Sequence, residues 1–344
     1  MNDGDTAYMR RALRLAARGA GRTSPDPLVG MVLVSGDDVI GAHRRAPATH
    51  AEVDALRKAG QRARGATLYT NLEPCAPSCA AAIAEARVGR VVIAMRDPDA
   101  RHSGRGVRAL RAAGVEVHEG TLKEEAERLN AGVVSRLTRG RPSVALVVAA
   151  TLDGRALRRS AATAKAVTRE LERIRDRADA VMVGVSSIVE SDPALTVGAG
   201  HEPLRVIVDA DARTPAPSKV VRHADPQRTV IFVGRDADVR RTNRLREAGV
   251  LLVTAARAPD GLDVAAVLRW LGGHGVNTVV AEADPGLAAS LVRADLVDRV
   301  IWFVSPLAGG AALPVLDGVP DAVGLRNLRA RRVGGELVLE GALG

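Results

Sequence analysis

The strongest signal in this sequence lies in Thr49-His50-Ala51-Glu52-Val53 and in Glu73-Pro74-Cys75-Ala76-Pro77-Ser78-Cys79. One histidine and two thiolates suit Zn²⁺, and three protein ligands leave the fourth tetrahedral position to water, which is the arrangement of a catalytic site. Zinc lowers the pKa of its bound water towards about 7 and so makes hydroxide available at neutral pH. The sequence therefore predicts a zinc site with His50, Cys75 and Cys79 as ligands.

Glu52 is the residue predicted to move protons at this site. It follows His50 by two residues, near enough to lie over the metal-bound water without being a ligand. An H-x-E element followed by P-C-x-x-C is the signature of zinc nucleobase deaminases, in which hydroxide attacks the amine-bearing ring carbon and the glutamate is the general acid and base. Here the cysteine spacing is one residue longer. The alternatives are a closed zinc site, or two buried thiols and a solvated histidine.

The periodicity of apolar residues predicts that these motifs belong to a series of alternating helices and strands. This series ends near Arg139-Gly140-Arg141-Pro142. The periodicity predicts helices at about 5–19, 50–60, 78–87 and 104–113 and strands at 28–35, 38–42, 66–71, 90–95 and 115–118. This order predicts a compact α/β/α sandwich. Residues 121–137 have helical spacing and are predicted to link the two halves of the chain.

Beyond this boundary, apolar runs rich in β-branched residues alternate with helical patterns. Strands are predicted at Val144-Ala150, Ala180-Val185, Leu204-Val208, Thr229-Val233, Val250-Val253, Thr278-Ala281 and Val300-Val304, and helices at about 166–177, 237–248, 263–271 and 286–294. Continuous Val, Ile and Leu runs are typical of strands covered on both faces. The second half is therefore predicted to be a mostly parallel sheet wrapped by helices, and the fold class of the whole chain is α/β.

Composition narrows the class of protein. The length of 344 residues favours two domains, and the net charge of +9 comes almost wholly from arginines spread along the chain. Aromatic residues make up 2% of the chain, too few for a surface that stacks nucleic-acid bases. The longest apolar run, Val144 to Leu152, is far shorter than a bilayer span, and the N-terminus lacks the apolar core of a secretory signal. Because two cysteines cannot form a disulfide framework, we expect a cytoplasmic protein.

Beyond the zinc motif, the chain resembles the bifunctional riboflavin-biosynthesis deaminase/reductases of the RibD type along nearly its whole length. In the first half the resemblance rests on Ser24-Pro25-Asp26-Pro27-Leu28-Val29-Gly30, His50-Ala51-Glu52-Val53, Leu72-Glu73-Pro74-Cys75, Asp97-Pro98-Asp99 and Gly104-Arg105-Gly106. In the second half it rests on Arg141-Pro142, Thr151-Leu152-Asp153-Gly154, Asp179-Ala180, Gly184, Asp192-Pro193-Ala194-Leu195-Thr196 and Pro306-Leu307-Ala308-Gly309-Gly310.

The resemblance implies a cytidine-deaminase-like domain at 1–140, with a linker helix at 121–140, and a dihydrofolate-reductase-like domain at 141–344. It implies hydrolytic removal of the 2-amino group from 2,5-diamino-6-ribosylamino-4(3H)-pyrimidinone 5′-phosphate or a close analogue. NADPH-dependent reduction of the ribosyl group to ribityl would follow. Zn²⁺ and NADPH are the implied cofactors, and a small pyrimidine nucleotide is the implied substrate. We also expect a homo-oligomer, either a dimer or a tetramer.

The resemblance also assigns roles to residues, matched position by position. Zinc ligation is implied for His50, Cys75 and Cys79, and the role of general acid and base for Glu52. Substrate binding is implied for Asp26, His43, Asp153, Asp192 and Glu282, and cofactor binding for Gly184 and Ser187.

The first half departs from the family pattern at two places. Only Ala76-Pro77-Ser78 remain of a longer insert between the zinc cysteines that contains a histidine and helps to hold the substrate and its phosphate. Asp26 stands where the family has asparagine, and an ionised carboxylate accepts hydrogen bonds but cannot donate them. A different or dephosphorylated ring is therefore the alternative substrate.

The second half departs further. Val147 and Gly198 stand where the family has lysine and arginine, and Glu282-Ala283-Asp284-Pro285 replaces a Glu-Gly-Gly turn. Asp284 adds a negative charge, and Pro285 lacks a donor, at a turn whose amides should face an anionic cofactor. We therefore expect NADPH binding to be weak or absent. Two alternatives stay open: a paralogue that deaminates another heterocycle in secondary metabolism and has a non-catalytic, oligomerising second domain, and a nucleic-acid-editing deaminase.

Overall fold

The computed structural model describes residues 3–47, 50–75, 77–157, 165–198, 200–222, 225, 228–319 and 322–343. The chain divides into two compact units, Met1–Gly140 and Arg141–Gly344. Within the described ranges, no helix combines the length and the apolar composition needed to cross a membrane. Thr49 and Ala76, which belong to the motifs above, lie outside the described residues.

The first unit is built on a five-stranded sheet. Its helices are α1 (Asp3–Ala16), α2 (Ala51–Ala59), α3 (Ser78–Glu85), α4 (Arg105–Ala112), α5 (Lys123–Leu129) and α6 (Ala131–Arg139), and its strands are β1 (Gly30–Ser35), β2 (Asp38–His43), β3 (Thr67–Leu72), β4 (Arg90–Met95) and β5 (Glu116–Glu119). The strand order is β2-β1-β3-β4-β5. β1 runs antiparallel to β2 and β3, whereas β3, β4 and β5 are parallel. The segments that follow β3 and β4 therefore leave the sheet at the same edge.

Helix α1 packs closely on this sheet. Met9, Ala12 and Ala16 recur at helical spacing and are fully buried. A Cβ on Gly30 would collide with the backbone of Ala12 and Ala16, so glycine at the start of β1 allows this close approach. The carboxylate of Asp5 then ties α1 to the parallel strands.

The segment predicted as one linker helix forms two helices, α5 and α6, which meet at Asn130. The Asn130 side chain is turned to the backbone of Leu28: its Oδ1 accepts from the Leu28 N–H (2.8 Å), and its Nδ2 donates to the Leu28 carbonyl (3.1 Å). An asparagine whose side chain competes for backbone groups favours a helix end over a helix interior. The same bonds withdraw Leu28 from the predicted strand, which begins instead at Gly30.

The second unit is built on a nine-stranded sheet. Its elements are β6 (Ser143–Ala150), α7 (Lys165–Asp176), β7 (Ala180–Gly184), α8 (Val185–Ser191), β8 (Leu204–Val208), β9 (Thr229–Gly234), α9 (Val239–Glu247), β10 (Leu251–Ala255), β11 (Arg257–Ala258), β12 (Gly261–Leu262), α10 (Val264–Gly273), β13 (Thr278–Glu282), α11 (Pro285–Arg293), β14 (Arg299–Val304), β15 (Leu325–Val333) and β16 (Glu336–Leu343). The strand order is β10-β9-β8-β7-β13-β6-β14-β16-β15, and β11 pairs only with β12.

Seven strands of this sheet, from β10 to β14 in the strand order, are parallel, as the apolar runs predict. The C-terminal hairpin of β15 and β16 is antiparallel and was not predicted. Four arginines in LRNLRARRV conceal strand β15, which is mostly exposed at the sheet edge. The signal that could have revealed the hairpin is Gly334-Gly335 between two alternating runs.

Candidate functional site

Three metal-ligating side chains converge at the ends of three elements of the first unit. His50 immediately precedes α2, Cys75 follows β3, and Cys79 lies in the first turn of α3. Their ligand atoms all lie within 4.8 Å of one another. His50 Nδ1 is 3.2 Å from Cys79 Sγ and 3.7 Å from Cys75 Sγ, and the two Sγ atoms are 2.9 Å apart. Imidazole and thiolate donors at this spacing fit one Zn²⁺, whose bonds to them are about 2.0–2.3 Å long.

The two thiols differ in acidity because they share a hydrogen bond. The bond from Cys79, assisted by Ser78 and His50, lowers the pKa of Cys75 to about 5 against the opposing effect of burial. The same bond, together with burial, raises the pKa of Cys79. Zinc binds thiolates, so metal binding and deprotonation of the cysteines are coupled at this site.

Glu52 lies in the first turn of α2, two residues after His50. Its side chain is 2% exposed, and its Oε2 has no hydrogen-bond partner among the described residues. Burial raises the pKa of Glu52, and the positive charges of Arg44 and His50 partly oppose this rise. A buried carboxyl group with one free oxygen and a raised pKa suits proton transfer at neutral pH.

Glu73 holds the loop that carries Cys75, a role that the sequence analysis did not assign. The Glu73 carboxylate is buried and accepts backbone N–H bonds from Asp97 (3.1 Å), Gly104 (2.8 Å) and Val107 (3.1 Å). These bonds join the end of β3 to the segment after β4 and to the first turn of α4. Glu73 belongs to the Glu-Pro-Cys motif, and its partner Gly104 belongs to the Gly-Arg-Gly motif. Both motifs can be read from the sequence, but only the folded structure shows that they are hydrogen-bonded to each other.

Asp26 and His43 were both predicted to bind substrate. Asp26 Oδ2 forms an ion pair with Arg44 Nη1 (2.7 Å), a residue that the sequence analysis did not single out. His43 ends β2 and pairs with Gly30 of β1. Burial, followed by the charge of Arg45 and other cations, lowers the pKa of His43, which favours its neutral form.

In the second unit, three predicted site residues lie at one edge of the sheet. Asp153 follows β6, Gly184 ends β7 and Glu282 ends β13, and these three strands are parallel neighbours. Ligands of open α/β sheets bind at the carboxyl ends of the strands, which is this edge. Asp153 accepts bonds from Thr151 Oγ1 (2.6 Å) and the Gly309 N–H (3.1 Å), which lower its pKa.

Glu282 and Asp192 have partners of their own in the second unit. Glu282 forms a two-pronged ion pair with Arg175 (2.5 and 2.8 Å), and Arg175 also donates to the Thr196 carbonyl (3.1 Å). Asp192 follows the last residue of α8 and accepts the Lys219 N–H (2.8 Å). Arg175 is a further residue that sequence reasoning missed, because nothing in the spacing connects positions so far apart.

Gly184 and Asp284 determine how this edge could receive an anionic cofactor. A Cβ on Gly184 would collide with Asp284 Oδ2, so a larger residue here would displace this carboxylate. Asp284 also caps α11, because its Oδ1 accepts the Leu287 N–H (3.0 Å). Ser187, in the first turn of α8, lies beyond the same strand end. Asp284 thus fills the space beside Gly184 and places a negative charge at this edge.

Two protein families match the chain, one in each unit. The family described as the cytidine and deoxycytidylate deaminase zinc-binding region matches residues 2–95. The RibD C-terminal domain matches residues 142–339. These matches assign the zinc-type ligand set and the nine-stranded sheet to two separate families.

Similar proteins cover the chain from end to end. The riboflavin biosynthesis protein RibD of Escherichia coli (strain K12) is 34% identical over 97% of this chain and 98% of its own length, and that of Aquifex aeolicus is 32% identical over 97% of each. The structure of Acinetobacter baumannii RibD superposes with a TM-score of 0.87 at 29% identity over 99% of each chain. A Thermotoga maritima protein, described as a diaminohydroxyphosphoribosylaminopyrimidine deaminase/5-amino-6-(5-phosphoribosylamino)uracil reductase, superposes at 0.84 with 28% identity over 99% of each chain.

The two folds and the zinc-type site define a zinc-dependent deaminase joined to a reductase domain of a type that uses NADPH. These matches favour neither a specialised paralogue nor a nucleic-acid-editing deaminase. The chain belongs to the RibD family of riboflavin biosynthesis enzymes.

Proposed function

We propose that the first unit, residues 1–140, removes the 2-amino group from 2,5-diamino-6-ribosylamino-4(3H)-pyrimidinone 5′-phosphate by hydrolysis. The observation that carries this proposal is the convergence of His50, Cys75 and Cys79 beside the buried carboxyl group of Glu52. The description of the Thermotoga maritima relative supports the choice of substrate.

His50, Cys75 and Cys79 would hold the zinc ion, which supplies acidity to a water molecule at its open position. Glu52 would accept one proton from the attacking water as the water oxygen bonds to ring carbon 2. Glu52 then returns the proton to the amino nitrogen, the carbon–nitrogen bond breaks, and ammonia leaves. The second proton of the water passes from the new hydroxyl group to a ring nitrogen as the carbonyl group forms, so water and substrate yield product and ammonia in balance.

Ammonia release tests this reaction directly. Protein loaded with one equivalent of zinc should release one ammonia per molecule of the diaminopyrimidinone ribosyl phosphate, and removal of zinc by a chelator should abolish the release. Zinc-loaded protein that releases no ammonia from this substrate would overturn the proposal.

We propose further that the second unit, residues 141–344, reduces the ribosyl group of the deaminated product with NADPH. Asp153, Asp192 and Glu282 are the proposed substrate contacts, and Gly184 and Ser187 the proposed cofactor contacts. The shared sheet edge of Asp153, Gly184 and Glu282 supports this assignment. Loss of NADPH absorbance on addition of the deaminated product would test it, and no loss with fresh product would overturn it.

We also propose that the chain forms a homo-oligomer in the cytoplasm. Strand β15 lies at the edge of the nine-stranded sheet, and Leu328 on it is 56% exposed. Exposed strand edges pair readily with a second copy of the same strand. Both cysteines are free, which suits a reducing compartment. Sedimentation velocity should give a dimer or tetramer, and a monomer at micromolar concentration would contradict this proposal.

A further inference from the structure

Arg44 is a buried arginine beside the deaminase site. It follows the last residue of β2, and its N–H donates to the Val29 carbonyl (2.8 Å), so its backbone continues the pairing of the sheet. Its side chain is only 10% exposed, whereas that of the next residue, Arg45, is 67% exposed. The two side chains therefore point in different directions, with Arg44 directed into the protein.

The surroundings of Arg44 place it near the reacting part of the site. Arg45 Nη2 lies 3.8 Å from Asp54 Oδ2 of α2. This ion pair joins the segment after β2 to the helix whose first turn contains Glu52. The positive charge of Arg44 also acts on the Glu52 carboxyl group. Arg44 therefore lies near enough to Glu52 for its charge to act on the carboxyl group.

Two buried polar atoms in this region have no hydrogen-bond partner among the described residues. They are Arg44 Nε, which can only donate, and Glu52 Oε2, which accepts when ionised. Buried polar atoms are nearly always satisfied in folded proteins, so such a pair in one site indicates that a bound molecule completes them. The guanidinium itself is anchored, because Asp26 accepts a bond from Nη1 (2.7 Å).

We propose that Arg44 is a specificity-determining residue of the deaminase site: anchored by Asp26, it donates its Nε–H to the ring carbonyl oxygen of an oxo-pyrimidine. This inference rests on the proposed deaminase function and names the ring chemistry that the site selects. The Asp26 carboxylate already accepts a hydrogen bond from Arg44 and cannot donate one. Arg44 is therefore the group that donates to the ring on this side of the site. An arginine has no acceptor, so a ring with an amino group in place of this carbonyl meets donor against donor and is rejected.

Arg44→Met, which removes the charge and every donor at a similar side-chain length, tests the proposal against two rings, the diaminopyrimidinone ribosyl phosphate and its analogue with an amino group in place of the ring carbonyl. We expect KM for the oxo substrate to rise about tenfold to 100-fold with kcat changed less than about threefold, because the lost bond holds substrate and transition state alike. The preference for the oxo ring should fall by a similar factor. Zinc content should remain at one per chain.

Arg57→Met is the matched control, since Arg57 also pairs with an aspartate (3.1 Å to Asp54) but is 74% exposed. It should leave KM, kcat and ring preference unchanged. The double variant Asp26→Ala/Arg44→Met removes both charges without adding a donor, and so avoids an unpaired Asp26 if the single variant folds poorly. It should show the same loss of ring preference. Unchanged KM and ring preference in either folded Arg44 variant would overturn the proposal.

Binding separates this inference from the proposed reaction. Calorimetry in a Glu52→Gln background should show a dissociation constant for the oxo substrate that is about tenfold or more higher when Arg44→Met is added. Equal binding with and without Arg44 would overturn the role of Arg44. Tight binding that depends on Arg44, with no ammonia from the otherwise unaltered protein, would overturn the reaction and support the role of Arg44.

Discussion

Glu52 combines burial, an unpaired oxygen atom and a raised pKa with a position two residues from His50. Glu52→Gln keeps the shape of the side chain but cannot shuttle a proton. We expect kcat for ammonia release to fall by about 10²–10⁴-fold with zinc still bound at one per chain. Glu85→Gln, the same change at an exposed residue of α3, is the control. Full activity of Glu52→Gln would show that another group moves the proton.

Asp284 lies at the sheet edge that we propose binds NADPH, and removal of its negative charge should change the affinity for NADPH. Asn caps helices about as well as Asp, so Asp284→Asn should keep the bond to Leu287 while it removes the negative charge. We expect the dissociation constant of NADPH to fall about two- to fivefold, the effect of about 0.5–1 kcal/mol of charge repulsion near a helix N-terminus. Titration of NADPH fluorescence measures the change.

Asp263→Asn is the control for this experiment, because Asp263 caps α10 through the same kind of bond to Ala266 (2.9 Å). It should leave NADPH affinity unchanged. Weaker binding by Asp284→Asn would mean that the carboxylate helps to hold the cofactor.

The zinc-type residues can be predicted from the sequence alone, but the residues that pair with other site residues cannot. His50, Cys75 and Cys79 lie within short motifs whose order and chemistry are local, and the structure brings them together. Arg44 and Arg175 act through Asp26 and Glu282, partners that are close only after folding. Such pairs leave no spacing signal, so one sequence cannot reveal them.

At the scale of elements, Asp5 anchors α1 to the parallel strands. Its buried carboxylate accepts two bonds from Arg90 of β4 (2.9 Å each) and one from Tyr69 of β3 (2.8 Å). The hydrogen bonds from Arg90 hold the pKa of Asp5 below its ordinary value of 3.8. This stabilisation is therefore fully present above the unfolded-state pKa and is lost as the pH falls through the folded-state pKa.

Asp5→Asn should lower the free energy of unfolding of the first unit at pH 7 by about 1.5–3 kcal/mol, because charged hydrogen bonds are lost. The difference from the unaltered protein should shrink as the pH is lowered below about 4. Hydrogen exchange of α1 amides across a urea series, repeated between pH 7 and pH 3, measures both effects. Asp37→Asn, in the exposed β1–β2 turn, should change stability by less than about 0.5 kcal/mol.

Most elements could be predicted from periodicity, and the exceptions have physical causes. β4 and β8 have the predicted bounds because each is a short apolar run with polar or turn residues on both sides. The break at Asn130 depends on bonds to Leu28, a residue far away in the sequence. β15 was missed because an edge strand need not bury its side chains, so its pattern is not apolar.

At the scale of the whole molecule, the proposed sites draw their side chains from separate units. We therefore expect Glu52→Gln to abolish ammonia release while NADPH oxidation on supplied deaminated product stays within about twofold of the unaltered rate. Glu282→Gln should do the reverse, because it breaks the ion pair with Arg175 in the second unit. Parallel assays of both variants on both substrates measure this independence. Loss of both activities in either variant would show that the two sites depend on each other.

The position of β6 in the sheet affects how the chain folds. β6 is the first strand of its unit, yet its two neighbours are β13 and β14, which arrive more than a hundred residues later. Pairings between such distant segments form slowly, because a long loop must close before any contact compensates for the lost entropy. During synthesis the first unit can complete its sheet while β6 is still without neighbours. The apolar surface of β6 is thus exposed on the ribosome until nearly the whole chain has emerged, which makes the second unit the more vulnerable to aggregation.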